Sequence, residues 1–392
     1  MADDRKKILF ITPGAQSFGG NIFLLNFLRW YKRNGGREFI TLFGYPGDLQ
    51  KDFEELSTTF QYFYADDSNV LARKAVGKLA NKMELRRAFL KSRIAREDIG
   101  LIYSNAVTNG RMLSMFDGRD VPVVSHCHEL ESLIQLSGVD SFNSLKERTE
   151  HFVAVSHAVK NNLTANHYIA DEKISVIHAF TPIEDLSEED IRSKRSAARR
   201  ELKIPEDAFV VGASGTLNWR KASEFFVLIA HAVKTREPQA PIYFVWIGGA
   251  NKDDFRLFEL NYDADRLDVS ERIRFLAHTD NPLDYFTAID VFAMVSREDP
   301  FPLVCLEAAS LGKPIVCFAD AGGMPEFVEE DCGHVVPYLD IDAFASKIID
   351  LFSDPDGTKK LGENASKKVR ARHDIEVAAP AVTELIERYL KS

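Results

Sequence analysis

Asp299 and Glu307 are separated by seven residues, and a helix start falls between them. Pro302 reads as the first helical position and Gly312 as the residue just past the last, which predicts a short helix over 303–311. The free amides at such a start face the preceding loop and attract a phosphate. With one acid in the loop and one in the second helical turn, two carboxylates flank whatever anion the helix end holds. A phosphorylated sugar suits that arrangement. Gly322, Gly323 and Glu326 follow after one short apolar strand. Taken singly, a loop acid and a surface-helix glutamate are ordinary solvated groups; the compact grouping makes the functional reading the stronger.

Three other clusters could do chemistry. Arg220 and Lys221 sit at a predicted helix entrance after the turn at Gly215, where cations oppose the helix dipole unless an anion lies between them. A solvated surface pair is the alternative. His126, Cys127, His128 and Glu129 follow a predicted strand over 121–125. Alternation puts both histidines on one face, so they could hold a metal only with a further ligand. No partner of suitable spacing is visible, so a metal ranks below catalysis. Gly19 and Gly20 stand at the entrance of a helix predicted over 21–33 and let backbone approach a ligand closely. That loop departs from the Gly-x-Gly-x-x-Gly fingerprint, which argues against a nicotinamide dinucleotide enzyme.

These clusters need elements to position them. Apolar strand-like runs at 8–12, 39–43, 101–104, 121–125, 152–155 and 174–178 alternate with helical segments. A second series runs through 209–213, 242–247, 273–276, 291–295, 315–318 and 334–337. Alternation of this kind implies parallel sheets covered by helices on both faces. The expectation is an α/β chain of two Rossmann-like doubly wound domains, 1–180 and 181–375, with a helix at 376–392 that crosses back to the first. A hinge belongs at 180–184, just before a Ser187–Asp190 capping box. Ligands of open parallel sheets collect outside the carboxyl ends of the strands, which makes a cleft between the domains the natural active site.

The acid, seven residues, glutamate pattern with the following glycine pair resembles the signature of the retaining glycosyltransferases of family four, which share the two-domain GT-B fold. The resemblance covers nearly the whole chain and is most specific from Gly215 to Glu326. It implies a hexose moved from a nucleotide diphosphate sugar, UDP- or GDP-linked, to a hydroxyl acceptor such as a growing glycan or glycolipid of cell-surface polysaccharide synthesis. By resemblance, Asp299 meets the donor sugar hydroxyls, with Glu298 as a rival one position away, and Glu307 holds the ribose. Arg220 and Lys221 neutralise the leaving diphosphate, and His128 contacts the donor sugar, with His126 as its rival. Gly19, Gly20, Gly215, His278, Phe301, Pro302, Leu303, Gly322, Gly323 and Glu326 complete the donor site. The first domain binds the acceptor, the second the nucleotide sugar; no resident cofactor and no metal are implied. The chain departs from the commonest pattern at Asp299, Pro300 and Pro302, at Thr216 where many members carry an arginine, and at Ala222 where they carry glycine. A nucleotide-sugar epimerase or sugar phosphorylase on the same fold, and a non-catalytic binding protein, are the competing classes.

At 392 residues, 45% hydrophobic and 28% charged, the chain has the makeup of a globular protein with two or three domains. Its net charge of −10 argues against nucleic acid as a partner. No secretory signal is read at the start and no run approaches the ~20 apolar residues of a membrane span, so a cytoplasmic location is expected. Cys127, Cys305, Cys317 and Cys332 show no metal-type spacing and read as reduced core residues. Residues 71–96 hold nine Lys or Arg against one acid, beside an apolar stripe at near-helical spacing. Two readings stand: a helix resting peripherally on the anionic inner face of a membrane, or a solvated helix whose stripe packs on the domain core.

Overall fold

The computed structural model describes residues 6–63, 87–249, 254–279 and 281–390. Contacts divide the chain into two units, one of residues 1–179 with 378–392 and one of residues 180–377. The first unit holds a seven-stranded parallel sheet ordered β3-β2-β1-β4-β5-β6-β7. Its strands are β1 Lys7–Gly14, β2 Phe39–Tyr45, β3 Thr58–Gln61, β4 Ile99–Ser104, β5 Val123–Cys127, β6 His151–Ala154 and β7 Ile174–Val176. The second holds a six-stranded parallel sheet ordered β10-β9-β8-β11-β12-β13. These are β8 Phe209–Ser214, β9 Ile242–Ile247, β10 Ile273–Phe275, β11 Val291–Met294, β12 Ile315–Phe318 and β13 Gly333–Val336. Both sheets are doubly wound, and the fold is that of the GT-B class.

Strand β3 was not expected: only Phe60 of Thr58–Gln61 is buried, so the edge strand carries no apolar alternation to read. Strand β5 begins two residues later than the apolar run, at Val123, where it pairs with Ile102; Pro122 has no amide and serves only as acceptor for Ile102. The strand also ends two residues later, because His126 and Cys127 pair with Val153 and Ala154 of β6. The first helix spans Gly19–Arg33, which takes the glycine pair into its first turn. The helix after Pro302 runs Leu303–Ser310, with Pro302 extended at its N-cap instead of inside it. Residues 64–86, which hold most of the basic segment, lie outside the described residues. Residues 87–94 are helical, with Leu90 and Ile94 buried and Lys91, Arg93 and Arg96 exposed.

The switch in winding direction falls between β1 and β4 in the first sheet and between β8 and β11 in the second. The loops that leave these strands therefore diverge and open a crevice at the carboxyl ends. Beneath the second sheet, the wholly buried Arg199 ties helix Glu188–Glu201 to its surroundings. Its guanidinium donates to the carbonyls of Ala288, Pro205, Glu206 and Ala208, and to Asp290 at 2.9 Å. Asp290 in turn accepts from Arg195 and from the amide of Val210, the second residue of β8. Replacing Arg199→Met leaves a carboxylate and several carbonyls short of donors, and should cost about 3–5 kcal/mol of stability by urea unfolding. A midpoint unchanged from the parent would show that this buried cation is dispensable.

Candidate functional site

In the second unit, the loops after β8 and β11 meet at one carboxylate. Asp299 is buried, at 5% exposure. Lys221 Nζ lies 2.5 Å from its Oδ2 and Arg220 Nη1 3.6 Å from its Oδ1, with Ser296 Oγ at 3.4 Å. Burial alone would raise this carboxyl, but the charges of Lys221 and Arg220 and the bonds from Lys221 and Ser296 hold it below the ordinary carboxylate range. Arg220 also donates to the Glu298 carbonyl at 3.0 Å, while the Glu298 side chain is only half-buried. The two cations enclose Asp299.

Local backbone fixes the cations. Asn218 Oδ1 accepts from the Lys221 amide at 2.9 Å and Asn218 Nδ2 donates to Thr216 Oγ1 at 2.7 Å, closing the loop with a side chain. The stem of Lys221 crosses Gly215, where a Cβ would lie 3.1 Å from it; Gly215 has φ +142. Ala222, which caps helix Ser223–Arg236, has φ 54. That left-handed geometry favours glycine, the residue the family resemblance implies at this position.

The acid loop is stitched to the glycine pair. The Asp299 amide donates to the Ala321 carbonyl at 2.7 Å, and the Gly323 amide to the carbonyls of Pro300 and Asp299. Asp299 and Gly322 form an isolated parallel bridge so close that a Cβ on Gly322 would sit 1.8 Å from the Asp299 oxygen. No side chain caps helix Leu303–Ser310, and its start opens beside this loop. Phe301, Pro302 and Leu303 are buried, the Phe301 ring stacked on His373 at 5.2 Å, so these three present chiefly backbone. Glu307 is half-buried in the second turn. Burial, reinforced by the charge of Glu184, pushes its carboxyl up to about 7. The Glu326 amide closes onto Gly323. His278, by contrast, is exposed after β10, at the sheet edge with β9 and β8 between it and the acid loop.

In the first unit, His126 is buried inside β5, its Nδ1 2.8 Å from the Tyr103 hydroxyl, and its Nε2 has no hydrogen-bond partner among the described residues. Burial, with the charge of His128, keeps its pKa far below that of a free imidazole. His128 follows the strand and is half-buried, its ring 4.4 Å from that of His126. Asn105 donates to the Gly20 carbonyl at 2.8 Å, so its Oδ1 accepts from His128 Nε2 at 3.0 Å. Burial lowers His128 to about 3, leaving a neutral ring with a lone pair on Nδ1. No third His, Cys, Asp or Glu donor stands with the two histidines among the described residues. Both glycines, Gly19 and Gly20, lie in the first helical turn, where the Gly20 backbone runs alongside the His128 ring while a Cβ on Gly19 would meet open space.

The Glycosyltransferase Family 4 family matches residues 19–184 and the Glycosyl transferases group 1 family residues 194–368, which together account for most of the chain. The chain belongs to the group 1 glycosyl transferases. It is 29% identical over 209 residues to a D-inositol 3-phosphate glycosyltransferase of Corynebacterium glutamicum, covering 52% of this chain and 50% of that one. The Rhizobium meliloti lipopolysaccharide core biosynthesis glycosyltransferase LpsD is 28% identical over 191 residues, 49% of this chain and 53% of that one. Matches to the first curated relatives span about half their length. Among solved structures, Anabaena Alr3699/HepE in complex with UDP-glucose superposes with a TM-score of 0.80 at 20% identity, over 97% of this chain and 99% of that one. As a group 1 glycosyl transferase the chain shares the fold of that structure.

Ser296, Asn218 and Asn105 join these clusters without being among the expected site residues. Of the three, Asn105 and Ser296, short polar side chains at strand ends, carry a local signal. Glu307 supplies a test on the ligand-free protein. The proton it retains when folded stabilises fully below about 4.5, and that stabilisation is lost as the pH rises through about 7. Glu307→Gln should therefore raise stability by on the order of 1–3 kcal/mol at pH 8 and by less than about 1 kcal/mol at pH 5. Equal melting shifts at both pH values would place the carboxylate in a solvated setting.

Proposed function

We propose that this protein is a retaining glycosyltransferase that moves a hexose from a UDP- or GDP-linked sugar to a hydroxyl of a glycan or glycolipid acceptor in cell-surface polysaccharide synthesis. The observation that carries the reading is the convergence of Lys221 and Arg220 on buried Asp299 beside the uncapped start of helix Leu303–Ser310. Fixed positive charge and free amides together stabilise the negative charge that develops on a departing diphosphate. When a diphosphate draws the cations, the Asp299 carboxylate gains free lone pairs for sugar hydroxyls. Glu307, ionised, accepts from two ribose hydroxyls, and the bond energy offsets the burial that otherwise favours its protonated form. His128 Nδ1 supplies a neutral acceptor for a sugar hydroxyl. The acceptor proton passes to the leaving phosphate, so no protein base and no metal are required. A similar fold crystallised with UDP-glucose, and a relative acting in lipopolysaccharide core biosynthesis, support the donor and acceptor classes.

A thermal-shift panel of UDP, GDP, ADP and their sugars identifies the donor, since a ligand that binds only the folded state raises the midpoint. With the matching donor, Lys221→Ala and Arg220→Ala should each lower turnover roughly 10²-fold, and the parent should keep its activity in a chelator. Full activity in both variants would remove the cation pair from the reaction.

Peripheral docking on anionic lipid through residues 71–96, from the cytoplasmic side, is part of this proposal. No helix among the described residues is long and apolar enough to cross a membrane. In the described stretch, Leu90 and Ile94 are turned to the core while Phe89 is 59% exposed among Lys91, Arg93 and Arg96. Co-sedimentation with phosphatidylserine vesicles should fall steeply as salt rises, because the attraction is screened within roughly 8 Å at physiological ionic strength. Changing Lys74, Lys78, Lys82 and Lys91 together to glutamine should abolish it. Vesicle binding that ignores those four changes would leave the helix as a solvated face.

A further inference from the structure

Of the three tryptophans, Trp30 and Trp246 are buried, whereas Trp219 is 61% exposed on the loop that carries Arg220 and Lys221. Its surroundings hold it in place. The Trp219 carbonyl accepts from Arg297 Nη1 at 2.7 Å, and the guanidinium carbon lies 5.2 Å from the indole centroid and 4.2 Å from that of Phe225. Arg297 is pinned in turn by Glu224 at 2.6 Å and by its own amide, which donates to the Arg220 carbonyl at 2.8 Å. Tyr338, 46% exposed, donates its hydroxyl to the Arg297 carbonyl at 3.1 Å. Loops after β8, β11 and β13 thus present one indole, backed by a cation and bordered by a phenol, directly beside the buried acid.

We infer that Trp219 is a stacking residue for a pyranose ring of the acceptor, an inference that rests on the glycosyltransferase reading. A pyranose presents a face of C–H bonds whose slight positive charge suits the electron-rich face of an indole. Its rim of hydroxyls remains in water or meets Tyr338. The ring lies over Arg297, which is paired with Glu224, and the next cations of the loop are held on Asp299; an exposed indole backed by charge suits a sugar better than the apolar core of a protein interface. The gradient of burial assigns the ring to the acceptor. Asp299 and the helix start lie buried, as a small donor sugar needs, whereas Trp219 opens to solvent, as suits a glycan that continues outward.

The test applies wild type, Trp219→Ala and Trp219→Phe to an array of defined pyranose oligosaccharides and measures UDP and GDP affinity on the same three proteins by calorimetry. Wild type should bind a subset of the oligosaccharides. Trp219→Ala should bind that subset roughly tenfold more weakly or worse, and Trp219→Phe should retain most of the affinity, since it keeps an aromatic face. Nucleotide affinity should be the same in all three. Nucleotide binding together with an array that wild type leaves blank, or that Trp219→Ala reads like wild type, overturns the inference alone. Absence of both UDP and GDP binding in wild type overturns the glycosyltransferase reading and takes the inference with it.

Discussion

The second unit's functional loops depend on one charge assembly, in which Lys221 and Arg220 surround a carboxylate that has almost no contact with water. A buried carboxylate stays ionised only when its desolvation is repaid by close cations and hydrogen-bond donors. Each partner is held there by something else: Lys221 by the bare backbone of Gly215 under its stem, Arg220 by the Glu298 carbonyl, Asp299 by its ladder onto residues 321–323. Loops that leave β8, β11 and β12 are therefore joined by charge and by main chain at one point. No single strand end could hold it alone.

The two acids of the signature stand in opposite electrostatic states. Asp299 is held ionised by its cations, whereas Glu307 is raised by burial and by Glu184. Paired titratable groups pushed apart in this way take different tasks. The first carries permanent negative charge matched inside the protein, and the second keeps its proton to a higher pH.

Much of this was legible in the chain. Among the described residues thirteen strands stand where twelve were read, because Thr58–Gln61 buries a single side chain, and period-2 patterning has nothing to act on there. The helix after Pro302 and the left-handed turn at Gly312, φ 72, follow directly from proline and glycine stereochemistry. Contacts across sequence were not legible. Lys221 and Asp299 lie 78 positions apart, and nothing local marks either as the other's partner. The resemblance favours His128 over His126, and what places His126 turns on where β5 ends: pairing with β6 carries the strand to Cys127 and sinks His126 into the sheet. Arg297 reads as one more surface cation, and its place between two aromatic rings exists only once the loops have met.

The division of the chain gives its second unit an unusual status. Residues 180–377 leave the first unit and return to it, and the two crossings are fastened to each other inside the second unit. Thr181 forms an isolated parallel bridge with Asp374, its amide donating to the His373 carbonyl at 3.0 Å and its carbonyl accepting from the Ile375 amide at 3.1 Å. Topologically, the unit is an insertion with closed ends. A segment whose termini are already neighbours loses little loop entropy when its host changes. The cation pair, both acids and the glycine turn all travel within that insert, as one piece of chain.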